Sequence, residues 1–158
     1  MAKKDDKTNV MRLLDSKKLP YVSHSYDPEL TDAVQVARSL GQEPEQVFKT
    51  LVTVGASGEH YVFMVPAAAE LDLKKAAKAA GEKSVQMILQ RELLPLTGYI
   101  HGGCSPIGMK KPFSTFMDET ALLYDTIFFS GGRVGHQVQM NPEDLQKMLP
   151  VEPADLTK

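Results

Sequence analysis

A lysine stands inside an apolar, strand-like segment of this 158-residue chain. Lys49 lies within residues 47–52, on the face that alternation also assigns to Val47 and Leu51. Because a buried ammonium is costly unless it is paired, Lys49 could contact an anion or a polarised carbonyl group. The alternative is an edge-strand lysine whose aliphatic stem is buried and whose ammonium reaches water. The segment alone leaves both interpretations open.

Two glycine-rich bends could supply the other half of such a site. Residues 102–108 read GGCSPIG and residues 130–135 read SGGRVG. Backbone N–H groups that no side chain shields can stabilise an oxyanion or hold a carbonyl oxygen, although tight connections between strands use the same glycines. The second bend lacks the G-x-S-x-G pattern of serine hydrolases. Ser130 is therefore predicted to form hydrogen bonds rather than to act as a nucleophile.

Cys104 offers a different chemistry, with His101 three residues before it. A thiolate beside a base could attack an ester or a thioester. A lone cysteine is more often a small buried residue, and it becomes a candidate nucleophile only when a base and an orienting group converge on it in space. The sequence does not decide between these two interpretations.

Composition limits the class of protein. One cysteine excludes an internal disulfide, and the four histidines do not have the spacing of a structural zinc site. We therefore expect no metal, no cofactor and a reducing, cytoplasmic setting. No segment is apolar enough over a sufficient length for a signal peptide or a membrane span.

Charge limits the partners. A net charge of −2 argues against a protein that coats nucleic acid, so DNA is not an expected partner. A group of lysines could still form either a solvated surface or a contact with a few RNA phosphates. Its members are Lys74, Lys75, Lys78, Lys83, Lys110 and Lys111.

Hydrophobic periodicity and turn signals predict both helices and strands. Helices are expected within residues 8–18, 31–40 (capped by Thr31), 72–80 and 90–94 and from residue 142. Strands are expected over residues 21–26, 47–54, 60–66, 84–87, 99–101, 114–117, 125–129 and 136–140. Without strict strand–helix alternation, this order favours one α+β domain over residues 1–158, with loose ends at 1–6 and 153–158. We expect a mixed, strongly curled sheet or barrel of about six to seven strands surrounded by helices.

Five motifs in register resemble the YbaK/EbsC family. They are FKTLV at 48–52, LKKAA at 73–77, TGY at 97–99 leading into 102–108 and Lys110-Lys111, SGG at 130–132, and NPEDL at 141–145. The resemblance implies a free-standing relative of the editing domain inserted in some prolyl-tRNA synthetases. It also implies an enzyme that hydrolyses mischarged aminoacyl-tRNA, most typically Cys-tRNA(Pro) and in some members Cys-tRNA(Cys).

The resemblance also implies a mechanism and partners. In this family the substrate's own thiol attacks the ester carbonyl to form a thiolactone, while the enzyme positions and polarises the ester. Such editing is needed because an apolar pocket separates near-isosteres such as cysteine and proline by only about 1–3 kcal/mol. The expected partners are the aminoacyl-tRNA 3′ end and, weakly, prolyl-tRNA synthetase.

Residue by residue, the resemblance makes Lys49 the essential lysine and Gly102 the glycine whose backbone lies against the aminoacyl group. Ser130 matches the serine at the pocket rim, and Tyr26 matches the aromatic residue near the acceptor end. The wider set of implied substrate contacts is Thr50, Gly103, Ser105, Pro106, Gly131, Gly132 and Gln137. At Gln137 several members carry an acid or a serine, so a polar role survives there but a charged role does not.

Three other functions remain open from the sequence. An alanine-specific deacylase would share the lysine and much of the glycine framework. A cysteine-dependent esterase or thioesterase would use Cys104 as its nucleophile. A non-catalytic module that binds tRNA ends or the synthetase would explain the lack of a strong general base.

Overall fold

The computed structural model describes residues 7–158, so the expected loose end at residues 1–6 lies outside the described residues. The helices of this part are α1 (Asn9–Ser16), α2 (Ala33–Ser39), α3 (Leu73–Ala80), α4 (Gln90–Thr97) and α5 (Pro142–Met148), with short 3-10 helices at Pro44–Gln46 and Glu119–Leu123. The strands are β1 (Val22–Ser25), β2 (Phe48–Gly55), β3 (His60–Pro66), β4 (Val85–Met87), β5 (Ser114–Asp118), β6 (Ile127–Ser130), β7 (His136–Met140) and β8 (Val151–Ala154).

The described strands form two sheets. One is antiparallel with the order β1-β7-β6, and the other is mixed with the order β4-β2-β3-β5-β8. A parallel bridge between Val47 and Phe128 connects the two sheets where β2 begins. The predicted mixed α+β class is confirmed. Instead of the expected single sheet of about six to seven strands, the described residues place eight strands in two sheets, and the strand order closes neither sheet on itself.

One hydrophobic core spans both sheets. Phe48 of β2 and Phe129 of β6 pack in the same buried cluster as Val10 and Leu14 of α1. The apolar stripe of α1 is fully buried at these two positions, and fully burying such a side chain contributes about 1.5–3 kcal/mol. A second cluster lies under α3, where Ala76 packs with side chains of β3 and β5.

Local sequence signals explain where the helices begin and end. Asp72 caps α3 by accepting the N–H groups of Lys74 and Lys75, and Gly81 ends the helix at a φ of +72°. These bounds agree with the prediction. At α2 the predicted cap is wrong by one residue, because Asp32 rather than Thr31 accepts the helical N–H of Gln35. Within residues 7–158, no helix has the length and apolarity needed to cross a membrane.

Two predicted segments differ from the structure. The strand expected at residues 99–101 is absent, because the chain leaves α4 at Gly98 with a φ of +85° and turns back through a hydrogen bond from Gly103 N to Ile100 O. The loose end expected at residues 153–158 is docked instead. Its β8 pairs in parallel with β5, and Leu156 is fully buried.

A gap along one edge of β2 determines where the site lies. On the side away from β3, β4 pairs only with Thr53 to Gly55, and the backbone bridge to β6 lies at Val47, immediately before β2. Val47 O accepts from Ala67 N on the β3 side, and Val52 O accepts from Ile88 N on the β4 side. Because neighbouring residues of a strand point their backbone groups to alternate sides, Thr50 directs its N–H and C=O into the gap.

The docked C-terminus yields a stability prediction. Leu156→Ala should reduce the free energy of unfolding by about 2–5 kcal/mol, because it empties a fully buried position. Glu152→Ala, an exposed position on the adjoining strand, is the matched control and should change it by less than about 0.5 kcal/mol. Chemical denaturation measures both values. Equal small effects would show that the tail is loose.

Candidate active site

A cavity of about 420 Å³ lies against the uncovered edge of β2. Its walls come from β2, the start of α2, the first glycine bend with His101, α4, and the second glycine bend with the adjoining ends of β6 and β7. Lys49 and Thr50 both line it, although neighbouring strand residues point to opposite faces. The cavity therefore reaches both faces of β2 around the uncovered edge.

Lys49 is a half-buried cation of this cavity. Its Nζ donates to the carbonyl oxygen of Ala67 at 3.2 Å, and no described carboxylate lies within 4.0 Å of it. β2 lies between β4 and β3 in the strand order, but β4 does not pair with it at Lys49, so the strand order does not decide between the two interpretations of this lysine. An ammonium carries three donors, so a ligand in the cavity can accept from those that Ala67 does not use.

Thr50 provides an unsatisfied polar atom at the same place. Its Oγ1 is buried and has no hydrogen-bond partner among the described residues. Most buried polar side-chain atoms in folded proteins are paired. The unpaired hydroxyl, next to backbone groups that face the gap, makes this part of the cavity suited to a ligand that both donates and accepts hydrogen bonds.

The two glycine bends pack against each other with no room for side chains. A Cβ atom on Gly103 would lie 3.0 Å from the backbone nitrogen of Val134, and one on Gly131 would lie 3.2 Å from the carbonyl carbon of His136. Gly132 has a φ of +95°, and a Cβ there would lie 2.7 Å from Val10 Cγ2 of α1. These three glycines are therefore required by packing.

Only some of the predicted site residues line the cavity. Those that do are Tyr26, Lys49, Thr50, Gly102, Ser130 and Gln137. Those that do not are Gly103, Ser105, Pro106, Gly131 and Gly132. Ser105 is fully buried, and its hydroxyl accepts from the N–H of Ile107 within the first bend, so the structure gives it a role in loop geometry.

Ser130 and Tyr26 both line the cavity, and each carries a hydroxyl group. Ser130 Oγ accepts the N–H of Gly132 at 3.1 Å, which fixes the second bend. Tyr26 is half-buried, and burial raises the pKa of its hydroxyl. Both groups are therefore neutral hydrogen-bonding groups at physiological pH.

Gln137 is held by a partner that the sequence analysis missed. Its amide exchanges two hydrogen bonds with the amide of Gln42, at 2.8 Å and 3.0 Å. Only 2% of Gln137 is exposed, so this reciprocal pair carries much of its hydrogen-bonding capacity. The pair ties β7 to the segment that follows α2, and residues at the start of α2 line another wall of the cavity.

Cys104 lies at the cavity wall as a neutral thiol. Burial raises its pKa to about 12, against the smaller opposing effect of a hydrogen bond with Thr97. Nucleophilic attack requires the thiolate, which is scarce at such a pKa. His101 also lines the cavity.

Within residues 7–158 no three His, Cys, Asp or Glu side chains are grouped so that they could hold a metal ion.

Asp32 and Thr31 are cavity residues that no sequence motif identified. Thr31 packs on the first bend, since its Cγ2 lies 3.3 Å from where a Cβ on Gly102 would be. The available signal was the position of Asp32 immediately before a helix. That position predicts a cap but not a cavity, because contact with the first bend depends on tertiary structure.

Comparison with known proteins places this chain in a family. A sequence model of the aminoacyl-tRNA editing domain matches residues 27–148. The chain belongs to the aminoacyl-tRNA editing domain family. A relative from Enterococcus faecalis, provisionally named Cys-tRNA(Pro)/Cys-tRNA(Cys) deacylase EbsC, is 44% identical over 161 residues, covering 99% of this chain and 98% of the relative.

Two further relatives extend the comparison of this editing domain. A proline–tRNA ligase of Thermosipho melanesiensis is 27% identical over 120 residues, which are 75% of this chain and 21% of the ligase. A crystal structure provisionally described as a trans-editing enzyme for prolyl-tRNA synthetase matches with a TM-score of 0.81 and 28% identity, covering 96% of this chain and 98% of that one. The family resemblance of the sequence motifs is confirmed.

The Gln42–Gln137 pair yields a prediction for the stability of this editing domain. Gln42→Leu should cost about 1–3 kcal/mol of unfolding free energy, because it leaves the buried Gln137 amide unpaired. The double variant Gln42→Leu/Gln137→Leu should recover much of that loss, since neither amide then remains. Urea denaturation measures both, with the exposed Gln35→Leu on α2 as control. Additive losses, or a Gln42 effect equal to the control, would contradict the pairing.

The buried thiol yields a second prediction. At pH 8 a thiol with a pKa of about 12 is ionised in roughly one molecule in ten thousand, against about a quarter for an ordinary cysteine. Iodoacetamide should therefore modify Cys104 at least about a hundredfold more slowly in the folded protein than in urea, and the folded rate should still be rising at pH 10. A folded rate that levels off near pH 8 would overturn the assignment of a neutral thiol.

Proposed function

We propose that this protein is a free-standing trans-editing deacylase that hydrolyses Cys-tRNA(Pro), with Cys-tRNA(Cys) as a second substrate. The observation that carries the proposal is the half-buried Lys49, which lines the cavity beside the unpaired Thr50 hydroxyl with Ala67 O as its partner. Family membership and the full-length similarity to a relative named for these substrates support the same conclusion.

The dimensions of the cavity suit an aminoacyl ester. Its volume of about 420 Å³ falls within the roughly 300–1,000 Å³ of small-molecule sites, which accommodates an aminoacyl group with part of the terminal ribose. The tRNA body would remain outside the cavity. It would contact the group of lysines at positions 74, 75, 78, 83, 110 and 111. The proposal also keeps the strongly curled sheet or barrel that the family resemblance implies, with the two sheets curving around the bound substrate.

Each wall has an assigned role in the proposal. The Lys49 ammonium donates to the ester carbonyl oxygen and stabilises the negative charge that develops there. The Gly102 backbone lies against the aminoacyl group, and Ser130 and Tyr26 contact the acceptor end. The backbone N–H and C=O of Thr50, which face the gap beside β2, donate to and accept from the substrate.

The chemical step needs no enzyme nucleophile. The substrate's thiol sulfur attacks its own ester carbonyl carbon, so a C–S bond forms and the C–O bond to the ribose breaks. The thiol proton passes to the departing ribose oxygen, which leaves the deacylated tRNA hydroxyl and a thiolactone that water later opens. The high pKa of the Cys104 thiol supports this route over an enzyme-bound thioester.

Selectivity for the tRNA would come from a partner. The similarity of the chain to about a fifth of a proline–tRNA ligase supports a working relationship with prolyl-tRNA synthetase in the cytoplasm. A weak complex with that synthetase would supply the tRNA discrimination that a small editing domain with a net charge of −2 lacks.

The central role of Lys49 gives the first functional test. Lys49→Ala should lower the rate of Cys-tRNA(Pro) deacylation by roughly a hundredfold or more, as does the loss of a group that stabilises the transition state. Lys17→Ala, which changes an exposed lysine that follows α1 and does not line the cavity, is the matched control and should retain the wild-type rate. Equal rates for wild type and Lys49→Ala would refute the role of this lysine.

The substrate-thiol step has its own test. The wild-type enzyme should deacylate Cys-tRNA(Pro) rapidly and S-methyl-cysteinyl-tRNA(Pro) at the uncatalysed rate, because the methylated sulfur carries no proton to transfer. Cys104→Ala should retain activity. Rapid hydrolysis of Ala-tRNA(Pro) would instead indicate an alanine-type deacylase, and a folded but inactive Cys104→Ala would indicate a cysteine-dependent esterase. Binding without turnover of any ester would indicate a non-catalytic module.

A further inference from the structure

The cavity wall carries few charged side chains. Among the described residues of the cavity wall, Lys49 is the one lysine and Asp32 is the one acidic residue. The proposed substrate is itself a cation at its reactive end, because an aminoacyl ester carries an α-ammonium group. A cavity that already holds an ammonium needs a carboxylate to accept a second one without a large electrostatic cost.

The carboxylate of Asp32 has capacity for such a ligand. Its Oδ2 accepts the backbone N–H of Gln35 at 3.1 Å as the cap of α2. No Lys, Arg or His nitrogen of the described part of the chain lies within 4.0 Å of this carboxylate. A carboxylate has about four acceptor positions, so an incoming ammonium can be bound without breaking the cap.

Asp32 is placed beside the group expected to hold the substrate. It follows Thr31, which packs directly on Gly102, and Gly102 lines the same cavity as Lys49. Asp32 is exposed rather than enclosed, which places it where the cavity opens to solvent. A substrate whose ester reaches Lys49 would therefore hold its α-amino end near this carboxylate.

We infer that the Asp32 carboxylate binds the α-ammonium of the aminoacyl group and so restricts the enzyme to aminoacyl esters with an unblocked amino group. This inference rests on the proposed function and names a determinant of its substrate class. Esters whose amino group is acylated, including peptidyl-tRNA, lack the positive charge and are rejected. The editing domain thereby removes mischarged amino acids without cleaving growing chains.

A structural alternative assigns Asp32 only to capping α2. Asparagine is as good a helix cap as aspartate, so Asp32→Asn retains the oxygen that accepts from Gln35 and removes the charge. Asp27→Asn is the matched control. Asp27 lies five positions earlier in the chain, accepts the N–H of Glu29 at 2.9 Å through Oδ1 in the same manner, and does not line the cavity.

The test measures binding of two non-hydrolysable probes by calorimetry at pH 6.5. One probe is adenosine with cysteine joined to its 3′ position through an amide, and the other is the N-acetyl form of the same compound. Wild type and Asp27→Asn should bind the first probe at least about tenfold more tightly than the second, as expected for a hydrogen bond between charged groups. Asp32→Asn should lose this preference by weakening the first probe alone.

The outcomes separate this inference from the proposed function. Equal affinity of the wild type for both probes, no binding of either probe, or an unchanged preference in Asp32→Asn would overturn the role of Asp32. So would an equal loss in Asp27→Asn. Deacylation of Cys-tRNA(Pro) is measured in parallel. Discrimination between the probes without turnover would leave the role of Asp32 intact and defeat the deacylase, whereas turnover without discrimination would do the reverse.

Discussion

The site depends on a stretch of β2 that no neighbouring strand covers. β4 pairs with the end of β2, and β6 reaches only its beginning through the bridge at Val47. Backbone N–H and C=O groups in a protein interior need partners, so an uncovered stretch persists only where solvent or a ligand can supply them. The cavity lies along this stretch, and the unpaired hydroxyl of Thr50 lies beside it.

The surrounding elements keep this edge open and rigid. The two glycine bends pack backbone against backbone at Gly103 and Val134, which allows Gly102 and Ser130 to reach the cavity wall together. The amides of Gln42 and Gln137 fix the segment after α2 to β7. In the proposed function this site positions an ester without an activated nucleophile from its described part, because the Cys104 thiol is neutral. Positioning alone can supply a large part of a rate enhancement, which agrees with a substrate that brings its own thiol.

The sequence predicted the elements whose signals are local. The β2–β3 hairpin followed from alternation around the glycines at 55 and 58, and α3 followed from its aspartate cap and glycine end. The sequence did not predict β8, since a four-residue strand containing Pro153 has little signal of its own and forms by pairing in parallel with β5. Residues 99–101 were predicted to form a strand that leads into the first bend, but no strand of residues 7–158 pairs with them.

Part of the site was also predictable, because some of its residues give a local signal in the sequence. Lys49 stands out because its charge conflicts with its apolar surroundings, and Gly102 and Ser130 belong to conspicuous bends. Asp32 and Gln42 have no local conflict, because one is an ordinary helix cap and the other follows the glycine after a helix. Their positions depend on tertiary structure, because Asp32 lines the cavity and Gln42 pairs with Gln137 of β7. Conversely, Gly103 and Gly131 stood out in the sequence, although close backbone packing accounts for them, against Val134 of the second bend for Gly103 and against His136 of β7 for Gly131.

The central claim is that the uncovered edge of β2 binds the aminoacyl ester. A crystal structure with the 3′-amide analogue of cysteinyl-adenosine tests it most directly. We expect the carbonyl oxygen of the analogue within hydrogen-bond distance of Lys49 Nζ, about 2.7–3.2 Å, and hydrogen bonds from the analogue to the backbone of Thr50. An analogue bound away from β2, or bound in this cavity without contact to Lys49, would contradict the account.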